Sequence, residues 1–248
     1  MNQTLQLLRI CFLLALTAVA QQRPNVPERP CSDPESCLSL LQKLAAERAA
    51  RSAEMQWRPV FNGKDLDGWA FVRAQETDGF TVTDGILHTV PGKGILWYTR
   101  EKIGNATLRV VYRMSNEKGN SGVFIRIPEG PKEYRFAINY GIEVQIDDRD
   151  EDWHCTGTLY SMTRALARPP RPPGEWNTLD ITLDGLRTTV RLNGVLVTDY
   201  DGVSPVPERT KPYEPERRPR PESGYIAVQN HDLEAVLSFK EISARRLR

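Results

Sequence analysis

The stretch TLDITLDGLRTTVRLNGVLVTDY, residues 178–200, decides how the rest of this chain is read. Leu179, Ile181 and Leu183 alternate with Thr178, Asp180 and Thr182, the period-two pattern of a half-buried strand. Two turn dipeptides, Asp184-Gly185 and Asn193-Gly194, interrupt the pattern. An Asn-Gly pair between Thr188–Leu192 and Val195–Tyr200 is a strong hairpin signal, because both central residues of a tight type I′ turn need positive φ.

The same alternation extends back to Trp57 and forward to the C-terminus. It marks strands at Phe80–Val82, Ile86–Val90, Ile95–Tyr98, Thr107–Met114, Val123–Ile127, Ile142–Ile146, Tyr225–Val228 and Glu234–Ile242. Asp84-Gly85 adds another turn. After residue 55 no helix-period segment exceeds ten residues. Many short strands with regular turns predict an all-β sandwich or jelly roll over residues 57–248, and a chain of 248 residues suits one such domain. Ser204–Ser223 breaks the pattern, being crowded with Pro, Arg and Glu. Proline removes ladder donors, so this stretch is expected to be a long surface loop, serving as a lid or rim.

The N-terminal part reads differently. Residues 1–20 carry one charged side chain, Arg9, an apolar run from Ile10 to Val19, and the small-residue pattern Ala18-Val19-Ala20. Such a run is too short to span a bilayer and has the layout of a cleaved signal peptide, which implies a secreted or periplasmic protein. No later stretch is apolar enough to cross a membrane. Residues 21–56 form a Pro-rich linker followed by a short amphipathic helix over Cys37–Ser52, with Leu38, Leu41 and Leu44 at helical spacing. Export permits disulfides, and Cys31 and Cys37 are close enough to pair, leaving Cys155 a free thiol. The cysteine spacing matches no zinc motif. Without residues 1–20 the basic and acidic side chains balance, so nothing calls for nucleic acid or an anionic membrane as partner.

Three segments carry polar residues in positions suited to chemistry. In Ile142-Glu143-Val144-Gln145-Ile146-Asp147 the aliphatic residues share one face, and Glu143, Gln145 and Asp147 share the other. In Asn120-Ser121-Gly122-Val123-Phe124-Ile125-Arg126, Val123, Ile125 and Ile127 point to the core. Phe124 and Arg126 point away, with Asn120 in line before them. Arg126 is then placed to pair with Glu143 or Asp147. In Tyr225-Ile226-Ala227-Val228-Gln229-Asn230-His231, Tyr225, Gln229 and His231 face away from the core. Trp97, Tyr98, Trp153, His154 and Tyr160 are aromatics that either stack on a sugar or pack at strand ends; Trp176 is expected to be structural. The chain has no G-x-S-x-G, no H-E-x-x-H and no glycine-rich phosphate loop.

Six ordered motifs resemble the 3-keto-disaccharide hydrolase domain family. They are Phe61-Asn62-Gly63-Lys64-Asp65-Leu66-Asp67-Gly68-Trp69, Asn120-Ser121-Gly122-Val123-Phe124, Gly141–Asp148, Thr156-Gly157-Thr158-Leu159-Tyr160, Gly174-Glu175-Trp176-Asn177 and Gly224–His231. The resemblance spans roughly Trp57 to Leu247. It departs from the family at Asp232, where glycine is usual, and in the Pro/Arg-rich loop. It implies a concanavalin-like jelly roll and cleavage of glycosides already oxidised at C3, by hydrolysis or by elimination and hydration. Removal of the C2 proton needs a base, for which His231 and Glu143 are the candidates. The enolate needs a stabiliser, either Arg126 or a divalent metal held by Glu143, Asp147 and His231. Asn120, Arg126, Gln145, Asp147, Tyr160 and Gln229 are the expected substrate-binding residues, and a small carbohydrate is the expected partner. The alternatives on the same fold are a non-catalytic carbohydrate-binding module, a conventional glycosidase using Glu143 with a second acid, or an envelope interaction protein.

Overall fold

The computed structural model describes residues 33–54, 56–74, 79–149, 151–231 and 233–247. The leader reading of residues 1–20 and any Cys31–Cys37 bridge lie outside these residues. Cys155 is a buried free thiol.

The chain divides into two units, Met1–Ala49 and Ala50–Arg248. The first contains most of helix α1, Pro34–Glu54, which is longer than the alternation of its leucines suggested. Asp33 explains the earlier start. Its Oδ1 accepts hydrogen bonds from the backbone N–H of Ser36 (2.8 Å) and Glu35 (3.0 Å), satisfying donors that a helix start leaves open. No helix among the described residues is long and apolar enough to cross a membrane.

The second unit is a two-sheet all-β sandwich. Its strands are β1 (Arg58–Pro59), β2 (Trp69–Arg73), β3 (Phe80–Thr83), β4 (Ile86–Thr89), β5 (Gly94–Tyr98), β6 (Ala106–Met114) and β7 (Ser121–Ile127). They continue with β8 (Ile142–Ile146), β9 (Asn177–Asp184), β10 (Arg187–Leu192), β11 (Val195–Tyr200), β12 (Tyr225–Asn230) and β13 (Leu237–Arg246). The larger sheet runs β11-β10-β9-β6-β13-β4-β3, with β1 paired on β13. The smaller runs β2-β5-β12-β7-β8. Every pairing is antiparallel, as jelly-roll connectivity requires. Asn193 (φ 51°) and Gly194 (φ 85°) make the tight turn that their dipeptide foretold.

Leu108, Val110 and Tyr112 from β6, Leu179, Ile181 and Leu183 from β9, and Val123, Val144, Ile146 and Val228 from the smaller sheet fill the space between the sheets. β9 buries alternate residues along its length, matching its sequence pattern. Two strands escaped the sequence reading. β1 is two residues long, and β2 is an edge strand whose WAFVR run lacks alternation. A short helix, α2 (Tyr134–Tyr140), also appears in the β7–β8 connection. Its Ala137 and Ile138 pack with Ile95, Phe124, Ile127 and Ala227 into a second small core, on the smaller sheet's outer face.

Candidate active site

Pair registers place the site residues in two rows across that outer face. Gln145 lies opposite Gly122, and Glu143 opposite Phe124. Phe124 in turn pairs with Ala227, and Val123 with Val228, which sets Gln229 beside Gly122. Directly opposed residues of an antiparallel pair share a face. Glu143, Gln145 and Gln229 therefore project together, while Ile142, Val144, Ile146 and Val228 enter the sandwich core.

They project into a cavity of about 750 Å³. Asn120, Tyr160 and His231 also line it, so six of the eight expected site residues converge. Asn120 sits just before β7 and His231 just after β12. Tyr160 is held by a segment that runs along the free edge of β8: Gln145 N–H donates to Thr158 O (3.0 Å), Gly157 N–H to Gln145 O (2.9 Å) and Tyr160 N–H to Glu143 O (2.9 Å).

Arg126 and Asp147 do not join them. Arg126 has φ 56° and lies in a register shift opposite Ile226, where β7 carries one residue more than β12. This bulge breaks the alternation. Ile127 turns to the outer-face core instead of the inner one, and Arg126 turns away from Glu143. Its guanidinium is buried and donates to Pro221 O (2.9 Å), Glu222 O (2.8 Å), Arg187 O (3.0 Å) and Thr188 Oγ1 (3.2 Å). It ties the β10 end of the opposite sheet to the loop before β12. Asp147 lies past the end of β8, where its carboxylate accepts two bonds from the Arg149 guanidinium (2.8 and 3.0 Å) and one from Arg149 N–H (3.0 Å). Among the described residues no three His, Cys, Asp or Glu side chains are grouped as a metal would require, so the Glu143, Asp147 and His231 set is not assembled. The sharp turn that pairs Asp147 with Arg149 takes it out of line. Of the aromatics, Tyr98 is in the main core against Trp69 (ring centroids 5.3 Å apart). Trp97 packs edge-on to Tyr225 at 5.1 Å. Trp176 is structural, lying between Arg113 and Lys240.

Glu143 is the electrostatic centre of the cavity. Among the described residues nothing donates to its carboxyl, and burial pushes its pKa up to about 8. Its neighbour Tyr134 was not anticipated. The Tyr134 phenol is raised well above its ordinary range by burial, and then by the nearby Glu143 charge. Gln229 Nε2 donates to Tyr134 Oη (3.1 Å), which leaves the phenol hydrogen free to point elsewhere. The side-chain carbonyl oxygens of Gln145 and Gln229 are both buried and have no partner among the described residues. Buried acceptors without donors are costly, and these two belong to residues that line the cavity.

Glu133, Arg135 and Ile138 of the α2 segment also line the cavity, as do Arg73 and Lys93. A seven-residue helix is too short for its period to stand out in sequence. Tyr213 enters from the Pro/Arg-rich loop, of which it is the single aromatic. That loop is pinned as a rim. Arg220 donates to Gly141 O (3.0 Å) and Asn139 O (3.0 Å), Arg135 to Pro212 O (3.2 Å), and Glu216 N–H to Asn139 O (3.1 Å).

The sequence profile of the 3-keto-alpha-glucoside-1,2-lyase-like domain matches residues 56–245. The chain belongs to this family. No curated protein matches it by sequence. Among solved structures, this lyase-like domain is similar to a protein of Parabacteroides distasonis described as a glycosyl hydrolase. The two are 25% identical with TM-score 0.63, over 77% of this chain and all of the other. A second P. distasonis structure so described is 24% identical with TM-score 0.64, over 77% of this chain and 94% of that one. The Emp46p carbohydrate recognition domain shares the fold at 12% identity and TM-score 0.52, over 78% of this chain and all of that domain. The lyase-like domain is thus a carbohydrate-active domain on a jelly-roll sandwich.

Proposed function

We propose that this chain is an exported enzyme that cleaves glycosides already oxidised to a ketone at C3, with Glu143 as the base. The observation that carries the reading is the Glu143 carboxyl. It is desolvated, has no donor from the described residues, and faces a sugar-sized cavity with its pKa near 8. A base poised near the working pH is what proton abstraction needs.

The C3 ketone acidifies the C2 proton. Glu143 takes that proton, and the C2–H electron pair moves into the C2–C3 bond, giving an enolate oxygen at C3. Tyr134, kept protonated by burial, is the hydrogen-bond donor for that oxygen. When the ketone re-forms, a C1–C2 double bond forms and the C1–O bond breaks. His231 gives the departing oxygen its proton. Water then adds at C1 and a proton returns to C2, so that elimination followed by hydration amounts to hydrolysis. Gln145 and Gln229 accept bonds from sugar hydroxyls.

The test is turnover of methyl 3-keto-glucoside, with and without a chelator. Wild-type protein consumes it in both conditions, and Glu143→Gln is slower by about 100-fold or more, the usual range for a lost general base. A rate near wild type in Glu143→Gln refutes the assignment of the base, and one in His231→Ala refutes the assignment of the proton donor.

A further inference from the structure

A second hollow, of about 360 Å³, shares a wall with the Glu143 cavity. Tyr160 lines the cavity, whereas the next residue, Ser161, lines the hollow. The His154 ring, also in the hollow, lies against the Tyr160 ring at 4.6 Å. We infer that the hollow is a second carbohydrate subsite, which takes a further sugar unit of the glycan whose oxidised end occupies the Glu143 cavity. This inference rests on the enzyme reading above and extends it from a simple glycoside to an oligosaccharide.

Trp153 gives the hollow an aromatic face, the kind of surface that packs against the C–H face of a pyranose. Glu151, Glu208 and Thr210 set polar groups around it, as recognition of hydroxyls requires. The wall is rigid. Trp153 N–H donates to Glu151 Oε2 (2.9 Å), and Trp153 O accepts from Ser161 N–H (3.0 Å). Ser161 is buried, with φ 54°, a conformation disfavoured for any residue with a side chain. Arg217 holds it there by donating to both Ser161 O and Ser161 Oγ (3.1 Å each). Backbone strain of this kind persists only where surrounding bonds over-determine it, and it gathers at binding sites.

One loop serves both spaces. Thr210 and Glu214 line the hollow, while Tyr213 between them lines the cavity. Glu214 is fixed by Thr210 N–H (2.9 Å), Thr210 Oγ1 (3.0 Å) and Arg217 (3.2 Å). The same braced loop therefore borders both spaces, so that one extended ligand can reach from one to the other.

The experiment uses the full chain, wild type and the variants Trp153→Ala and Trp153→Phe, each with its melting temperature recorded. Calorimetric titration with unoxidised α- and β-linked gluco-oligosaccharides of two to four units reads the hollow independently of catalysis. At least one of them binds the wild type. Trp153→Ala weakens that binding about tenfold, in line with one lost stacking contact, and Trp153→Phe retains most of it. In turnover, Trp153→Ala raises KM for the matching 3-keto-oligosaccharide about tenfold more than for methyl 3-keto-glucoside. Failure of every oligosaccharide to bind, or equal losses on long and short substrates, overturns the subsite. Failure of wild type to consume methyl 3-keto-glucoside would instead count against the enzyme reading.

Discussion

A methyl group built on Gly122 would come within 2.3 Å of Glu143 Oε1. The two residues are on adjacent strands, and the carboxyl of one lies over the bare backbone of the other. Glycine in a strand interior ordinarily weakens it, by about 0.5–1 kcal/mol relative to alanine. Its presence beneath Glu143 is explained by the carboxyl that rests on it.

Gly122→Ala should therefore separate stability from activity. The added methyl displaces the Glu143 side chain, a flexible group that can swing aside, so folding changes by less than about 1 kcal/mol. Gly122 acts as a positioning residue, and misplacing a base by about 1 Å costs about 100-fold. The checks are kcat/KM on methyl 3-keto-glucoside and a urea unfolding curve. A proportionate loss of both would refute the positioning role.

The raised Glu143 pKa makes two pH predictions. Its folded value, about 8, exceeds the ordinary 4.5. Between these values the folded protein holds a proton that the unfolded chain has lost, so this group's contribution to stability falls as pH rises from about 4.5 to about 8 and is constant above. Glu143→Gln removes that slope, and the difference in melting temperature between variant and wild type should grow over this window and then level off. The wild-type kcat/KM should rise with pH through about 8, because the base must be ionised in the free enzyme. A flat profile from pH 6 to 9 excludes Glu143 as the base.

Arg126 should behave as a structural residue. Replacing it with leucine strands three partly buried backbone carbonyls, Pro221 O, Glu222 O and Arg187 O, and the buried Thr188 hydroxyl. The expected cost is about 3 kcal/mol or more. Arg126→Lys should recover only part of it, since one ammonium cannot reproduce the planar fork. Denaturant midpoints measure the loss, and kcat per folded molecule should stay within about threefold of wild type.

Gln145→Leu should raise KM. It removes a carbonyl acceptor that has no partner among the described residues. Because that oxygen is already unsatisfied, loss of the Gln145 side chain should be neutral or slightly stabilising, whereas a lost bond to a sugar hydroxyl costs about 1 kcal/mol, or about fivefold in affinity. Paired measurements of KM and melting temperature would show the opposite signs.

The positions of Glu143, Gln145 and Gln229 were legible in the chain because strand alternation is local. A side chain's face follows from its neighbours two residues away, and the aliphatic set on each strand decides which face is core. Residues that alternation misplaced failed for local reasons too. One extra residue in β7 reversed Arg126, and the end of β8 released Asp147 to pair with Arg149. Neither event has a signature in composition. Tyr134 and Tyr213 come from a two-turn helix and a proline-rich loop, too short or too irregular for a period to be read.

The sequence by itself determined that this is a two-faced β protein with a row of polar side chains on one face, since alternation and turn chemistry act over a few residues. That α2 and the Arg-pinned loop wall this row into a cavity, and that Glu143 loses part of its water there, follow only from the folded arrangement. Desolvation depends on everything that surrounds a group, and for Glu143 those surroundings come from segments far apart in the chain.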